Sequence, residues 1–123
     1  MKVLIVDDEE ELRMILSEQL RQHGLEILEA ANGLEGLWQV KHEHPDVIVL
    51  DLTMPRLGGI EALKRIHTFD PEIKVIVLTA SEDPREHQRA RSLGASDVYT
   101  KPYDLEQLAR TIARHDPAAR GAA

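Results

Sequence analysis

The chain has 123 residues, 42% hydrophobic and 30% charged, with 3% aromatic, no cysteine and a formal charge of −7. That is one domain's length with an aliphatic core. The missing cysteines exclude disulfides, thiolate metal sites and cysteine nucleophiles, while the acidic balance and scarce aromatics disfavour nucleic acid and favour divalent cations or basic partner surfaces.

Lys2 to Val6 is a short apolar run rich in β-branched residues, the pattern of a strand buried on both faces, and it stops at Asp7-Asp8-Glu9-Glu10. A helix is predicted from there. Leu12, Ile15, Leu16 and Leu20 recur at helical spacing, the acidic first turn suits the helix dipole, and His23-Gly24 supplies the stop. Glu26 to Ala30 reads as the second strand. Asn32-Gly33 opens a second helix marked by Leu34, Leu37 and Val40 and running to His44-Pro45. Gly36 inside it costs about 1 kcal/mol relative to alanine, and Trp38 is expected as a partly buried anchor.

Asp46 to Leu50 is the predicted third strand, and Met54 to Gly59 a loop by its proline and glycine content, with Gly58-Gly59 serving backbone geometry. Ile60, Leu63 and Ile66 mark a third helix that stops near Asp70-Pro71. Lys74 to Leu78 follows as the fourth strand. Pro84 opens a fourth helix closed by Leu93-Gly94, Asp97 to Thr100 reads as a fifth strand, and Leu105, Leu108, Ala109 and Ile112 give a last helix. Pro117 to Ala123 is small, alanine-rich and without periodicity, either a C-terminal tail or the start of a linker, which leaves residues 1–116 as the domain. No signal peptide or long apolar run follows Met1, so a cytoplasmic location without membrane contact is expected.

Alternating strands and helices with short connections imply an α/β fold: a doubly wound, five-stranded parallel sheet flanked by five helices. Polar residues follow the carboxyl ends of four strands, namely Asp7 and Asp8, Asp51, Thr79, and Lys101. In the flavodoxin-like order 2-1-3-4-5 those four strands are contiguous, and the second, which ends without such a group, lies at the margin. The polar groups then converge on the edge where parallel sheets bind ligands.

Three carboxylates brought together repel one another, by roughly 4 kcal/mol per pair of unit charges at ~4 Å and an effective dielectric of about 20. Such a cluster calls for a cation, and hard oxygen donors without histidine or cysteine suit magnesium or manganese and disfavour zinc. A carboxylate can attack phosphorus to form an acyl phosphate when a metal and a lysine neutralise the transferred oxygens. Asp51, the cation and Lys101 meet that specification, and Thr79 could donate its hydroxyl to a phosphoryl oxygen, a contact available only after modification.

Each group also has a plainer reading when taken alone. Asp7 and Asp8 would cap the first helix, Asp51 would be a turn residue, Thr79 a strand hydroxyl bonded to backbone, and Lys101 a solvated charge. Convergence on one sheet edge favours the functional reading. His42, His44, His67 and His87 are expected to be solvated. Arg85, Arg89 and Arg91 make a basic patch on a polar fourth helix, either a solvated face or a docking surface shared with the last strand and helix.

Val6-Asp7-Asp8-Glu9, Asp51-Leu-Thr-Met-Pro-Arg-Leu-Gly-Gly59, Val77-Leu-Thr79-Ala80 and Gly94-Ala95 with Lys101-Pro102-Tyr103 together resemble the receiver domain of two-component response regulators, the CheY-like family, over about residues 2 to 114. The resemblance implies that Asp51 is the phosphoacceptor, Asp8 and the Thr53 carbonyl direct metal ligands, and Asp7 a ligand through water. It gives the phosphoryl contacts to Lys101 and Thr79, with magnesium as the expected metal and manganese possible. It implies as donor a phosphohistidine on a sensor kinase or phosphotransfer protein, and an output partner or effector domain reached through the fourth helix, fifth strand and fifth helix. It also implies a cis bond before Pro102.

Two departures from the family pattern matter. The switch aromatic lies three residues before the lysine, where this chain has Val98; Tyr99 is the next residue, and on a strand that shift points it to the opposite face. By the same resemblance Thr53 and Ser81 would flank the path of the water that hydrolyses the acyl phosphate, and neither is an acid or amide, so a phosphate lifetime longer than seconds is expected.

Three other functions fit less well. A flavin-binding protein of this topology needs a Ser/Thr/Gly-rich phosphate loop after the first strand, and Asp7 to Glu11 would repel the phosphate. An aspartyl-phosphate phosphatase wants a second acid two residues after the nucleophile, where Thr53 stands. A degenerate receiver used only for binding would have a broken acidic site, and this one is intact. Separate substrate turnover is not expected; the domain would catalyse only its own phosphorylation and dephosphorylation.

Overall fold

A computed structural model describes residues 1–53 and 58–118. The elements run β1 (Lys2–Val6), α1 (Glu10–Arg21), β2 (Glu26–Ala30), α2 (Gly33–Glu43), β3 (Val47–Asp51), α3 (Gly59–Phe69), β4 (Lys74–Thr79), α4 (Pro84–Ser92), β5 (Asp97–Thr100) and α5 (Leu105–Arg114). All strand pairs are parallel and the sheet order is β2-β1-β3-β4-β5, as predicted. Two boundaries differ in a way that matters for the site: Asp51 and Thr79 are the last residues of their strands instead of the first residues beyond them. Their side chains are therefore fixed by the sheet's own pleat. The predicted loop residues Met54–Leu57 and tail residues 119–123 lie outside the described residues, while Gly59 already begins α3.

Alternation along each strand divides the interior into two layers. Leu4 and Val6 of β1, Ile48 and Leu50 of β3, and Val75 and Val77 of β4 pack under α2 and α3, joined by Ala90 of α4. Val3, Ile5, Val47, Val49, Ile76 and Leu78 face the other way, under Leu16 and Leu20 of α1 and Leu108 and Ile112 of α5. β3 is buried along its whole length because helices cover both faces and strands flank both edges. Among the described residues no helix is long and apolar enough to cross a membrane.

The helix faces correct part of the sequence reading. Leu16 and Leu20 are buried, but Leu12 and Ile15 are 50% and 55% exposed. Both line a cleft between α1 and the Lys101–Tyr103 turn, level with the end of the sheet, where the helix has little beneath it. On α2, Leu37 and Val40 point inward, leaving Leu34 at 53% and Trp38 at 56% exposure. Trp38 is not a partly buried anchor; it stacks on His42, one helical turn away, with ring centroids 4.1 Å apart. His87 is not solvated either: it is half-buried, with Nε2 2.6 Å from the Ser81 carbonyl.

Candidate functional site

The carboxyl ends of β1 and β3 position the acids. Beyond Val6 the chain keeps its strand track for one residue, the Asp7 amide donating to the Ala30 carbonyl at 3.1 Å. Asp7 Oδ1 then accepts from the Glu9 amide at 2.9 Å, a tight turn that aims the chain into α1. Asp7 and Asp8 do not cap α1: the N-cap is Glu9, whose side chain makes no capping bond. Asp51 Oδ1 likewise accepts from the Thr53 amide at 2.9 Å, and Asp51 Oδ2 accepts from Lys101 Nζ at 2.8 Å. One carboxylate oxygen each from Asp7, Asp8 and Asp51 lies within 4.8 Å of the others. Asp7 and Asp51 are 6% and 2% exposed and Asp8 is at the surface, so the cluster opens to solvent on the Asp8 side.

Strand pairing delivers the remaining groups to this edge. Thr79 pairs with Thr100, and the Lys101 amide donates to the Thr79 carbonyl at 2.8 Å, which places the Lys101 side chain beyond the ends of β4 and β5. The Lys101–Pro102 bond is cis. Thr79 is buried, and its hydroxyl accepts from the Ser81 amide at 3.1 Å. Five sequence-predicted residues, Asp7, Asp8, Asp51, Thr79 and Lys101, thus occupy contiguous strand ends, and the Thr53 backbone reaches Asp51 through its amide.

The electrostatics follow from burial and from like charges at short range. Burial raises the Asp7 pKa above the ordinary carboxylate value; the Glu9 hydrogen bond opposes it, the Asp51 charge adds to it, Lys101 opposes and Asp8 adds. For Lys101, burial pulls the pKa down, but the hydrogen bond to Asp51 and the charges of Asp51, Asp7 and Glu9 together raise it. Burial raises the Tyr103 hydroxyl as well, Lys101 opposing and Asp7 and Asp51 adding. The folded state therefore holds the Asp7 proton more tightly than the unfolded chain does. The stability this confers is fully present below the ordinary carboxylate pKa and is lost as pH rises through the raised value.

At neutral pH without metal, charged Asp7 is a destabilising group. Asp7→Asn keeps the acceptor for the Glu9 amide and removes the charge, so the metal-free variant should be more stable than the wild type at pH 7. The gain should vanish as the pH is lowered below the carboxylate range. Thermal melts in chelator across that range check this; a destabilised Asp7→Asn at pH 7 would contradict it.

The structure separates the two candidate switch positions. Val98 faces the α3–α4 layer, beside Val77 and Ala90, whereas Tyr99 packs into the α1–α5 layer, its hydroxyl bonded to that of Thr111. Tyr99 is therefore on the far face of the sheet from Thr79, which shares the face of Val75 and Val77. Ser81 stands in the β4–α4 loop, bonded to Thr79, and Thr53 is exposed.

Two residues beside the site had no signal in the sequence. The Arg13 guanidinium donates to the Asp7 carbonyl at 2.7 Å and pairs with Glu29 at 3.1 Å, placing a positive charge behind the acidic cluster. That contact depends on the β1–β2 register and the pitch of α1 together. His87, on α4, reaches both the β4–α4 loop and β5. The donor set itself, carboxylates with a lysine opposite and a threonine hydroxyl alongside, is compatible with a divalent cation and with an incoming phosphoryl group.

The family model of the response regulator receiver domain matches residues 3–113. The chain is 37% identical over 116 residues to sporulation initiation phosphotransferase F of Bacillus subtilis, covering 94% of each chain. It is 36% identical over 107 residues to the alkaline phosphatase synthesis transcriptional regulatory protein PhoP of the same organism, of which it spans 45%. The solved structure of chemotaxis protein CheY4 from Vibrio cholerae superposes with a TM-score of 0.85 at 32% identity, covering 92% of this chain and 96% of that one.

Proposed function

This chain belongs to the response regulator receiver domain family of two-component signalling, and we propose that Asp51 is the carboxylate on which it accepts a phosphoryl group. The observation that carries the proposal is a buried Asp51 held by Lys101 Nζ at 2.8 Å, with oxygens of Asp7 and Asp8 within 4.8 Å. Receiver domains of this family exchange phosphoryl groups with kinases or phosphotransfer proteins and act on output domains. Here the donor would be a phosphohistidine.

An Asp51 oxygen attacks the phosphorus, forming the O–P bond as the N–P bond breaks, and the imidazole leaves and takes up a proton. Lys101 is already aimed at this point and exchanges its carboxylate contact for a phosphoryl oxygen. Thr79 can donate its hydroxyl hydrogen to another phosphoryl oxygen while still accepting from Ser81. When bound, magnesium, for which manganese could substitute, would neutralise charge on the transferred oxygens. Asp8, Asp51 and the Thr53 carbonyl would hold it, and Asp7 would reach it through water. Thr53, standing two residues after the nucleophile, offers no general acid for phosphatase turnover. The output surface would be formed by α4, β5 and α5, where Arg85, Arg89 and Arg91 are exposed.

Offering phosphoramidate with magnesium should add the mass of one phosphate, and omitting magnesium should abolish the gain. No magnesium-dependent gain would sink the proposal. A second check uses no chemistry. Magnesium bound only by the folded cluster should stabilise the chain by about 2.7 kcal/mol at a hundredfold excess over Kd; an unchanged thermal midpoint at saturating magnesium would mean that the cluster holds no such ion.

A further inference from the structure

We infer that His87 is the positioning residue that transmits the state of Asp51 from the β4–α4 loop to α4 and β5, an inference that rests on the phosphoacceptor reading above. The loop after β4 is tied in sequence. Thr79 Oγ1 accepts from the Ser81 amide at 3.1 Å, and Ser81 Oγ accepts from the Asp83 amide at 3.2 Å. His87 Nε2 then lies 2.6 Å from the Ser81 carbonyl. A carbonyl only accepts, so Nε2 carries the hydrogen and donates it. The same nitrogen is 3.4 Å from Thr100 Oγ1, on the β5 residue that pairs with Thr79 and precedes Lys101. One imidazole thus bridges a helix, a loop and a strand.

α4 has little else to hold it. Ala90 is the one buried residue of the helix, and apart from Pro84 its other side chains are polar or charged. A helix with so little apolar burial shifts at low free-energy cost, so a single short hydrogen bond at its second turn has leverage over its position. On this face of β5, Val98 carries no polar group that could do the same, and the Thr100 hydroxyl is itself a neighbour of His87. When the Thr79 hydroxyl turns toward a phosphoryl oxygen, the Ser81 amide bonded to it follows, and the Ser81 carbonyl carries His87 and the start of α4 with it.

The test compares the wild type with His87→Leu, which keeps the bulk and loses the donor, and His87→Gln, which keeps a donor. Each is labelled with phosphoramidate and magnesium, uptake is read by intact mass, and amide hydrogen exchange of Pro84–Ser92 is measured before and after. All three should take up phosphate equally. The wild type and His87→Gln should show a phosphate-dependent change in α4 exchange, and His87→Leu should lose it. A wild-type-sized change in His87→Leu overturns the inference, as does loss of the change in both variants or a phosphorylated wild type whose α4 does not respond. Absence of phosphate on the wild type overturns the phosphoacceptor reading instead.

Discussion

Replacing Lys101 with alanine should slow phosphoryl uptake at Asp51 by about 100-fold, a loss of about 2.7 kcal/mol of transition-state stabilisation. Lys101 is the one cation within hydrogen-bonding distance of Asp51 among the described residues, at 2.8 Å, and its ammonium is already oriented before any donor arrives. Removing it leaves three carboxylates facing the incoming phosphate without the cation that contacts Asp51. The same change has a structural side. The raised Lys101 pKa means that the ion pair adds stability fully below the ordinary lysine value, lost only as pH rises through the folded one, in the alkaline range. At neutral pH, Lys101→Ala therefore removes a partner from the buried Asp51 carboxylate as well as the proposed phosphate contact. Single-turnover uptake from phosphoramidate, followed by intact mass alongside a thermal melt, separates the two effects. Uptake within threefold of the wild type would contradict this assignment of Lys101.

Gly59→Ala should be the most damaging small substitution outside the acidic cluster. A Cβ at Gly59 would sit 2.3 Å from the Leu52 Cα, 2.6 Å from the Leu52 carbonyl oxygen and 2.8 Å from that of Asp51. All three are backbone atoms at the end of the central strand and cannot turn aside. Either the first turn of α3 lifts off β3 or the Asp51–Leu52 backbone moves, and the second outcome displaces the proposed phosphoacceptor. A destabilisation of about 3 kcal/mol is expected, seen as a fall in thermal midpoint of roughly 10 °C. Gly36→Ala supplies the contrast. Its Cβ would meet Val6 Cγ2 at 3.1 Å, a side-chain atom that can give, and alanine regains helix propensity, so the net change should stay below about 1 kcal/mol. Equal midpoints for the two variants would show that the approach of α3 to β3 is not what requires glycine.

Much of this architecture is legible in the chain. β-Branched apolar runs from Lys2, Val47 and Lys74 become strands because a strand covered on both faces tolerates little else, and the residues ending them stand out as polar against that background. Once the parallel order is assumed, Asp7, Asp8, Asp51, Thr79 and Lys101 have one edge to share. Helix periodicity carried less information. It identifies an apolar face on α1 but not where the sheet ends beneath it, so Leu12 and Ile15 emerged at the surface of a cleft. On α2 the inward direction went to Leu37 and Val40, leaving Trp38 outside.

What escaped the sequence are contacts that exist only after several elements have docked. Arg13 meets Asp7 and Glu29 only when β1, β2 and α1 are assembled. His87 meets Ser81 and Thr100 only when α4 lies against β5. Neither has a spacing that would mark it in one dimension. By contrast, the divergence of Val98 and Tyr99 was readable, because alternation on a strand fixes opposite faces whatever else the fold does, and the two residues do lie in different layers.

The most direct measurement of the central claim is the position of the phosphate. The wild type and Asp51→Asn are incubated with phosphoramidate and magnesium, and the labelled protein is treated with borohydride, which reduces an aspartyl phosphate to homoserine. Peptide mass mapping then reads the modified residue. The account predicts one phosphate on the wild type, homoserine at position 51 alone, and no uptake by Asp51→Asn. Homoserine at Asp7 or Asp8, or undiminished labelling of Asp51→Asn, would contradict it.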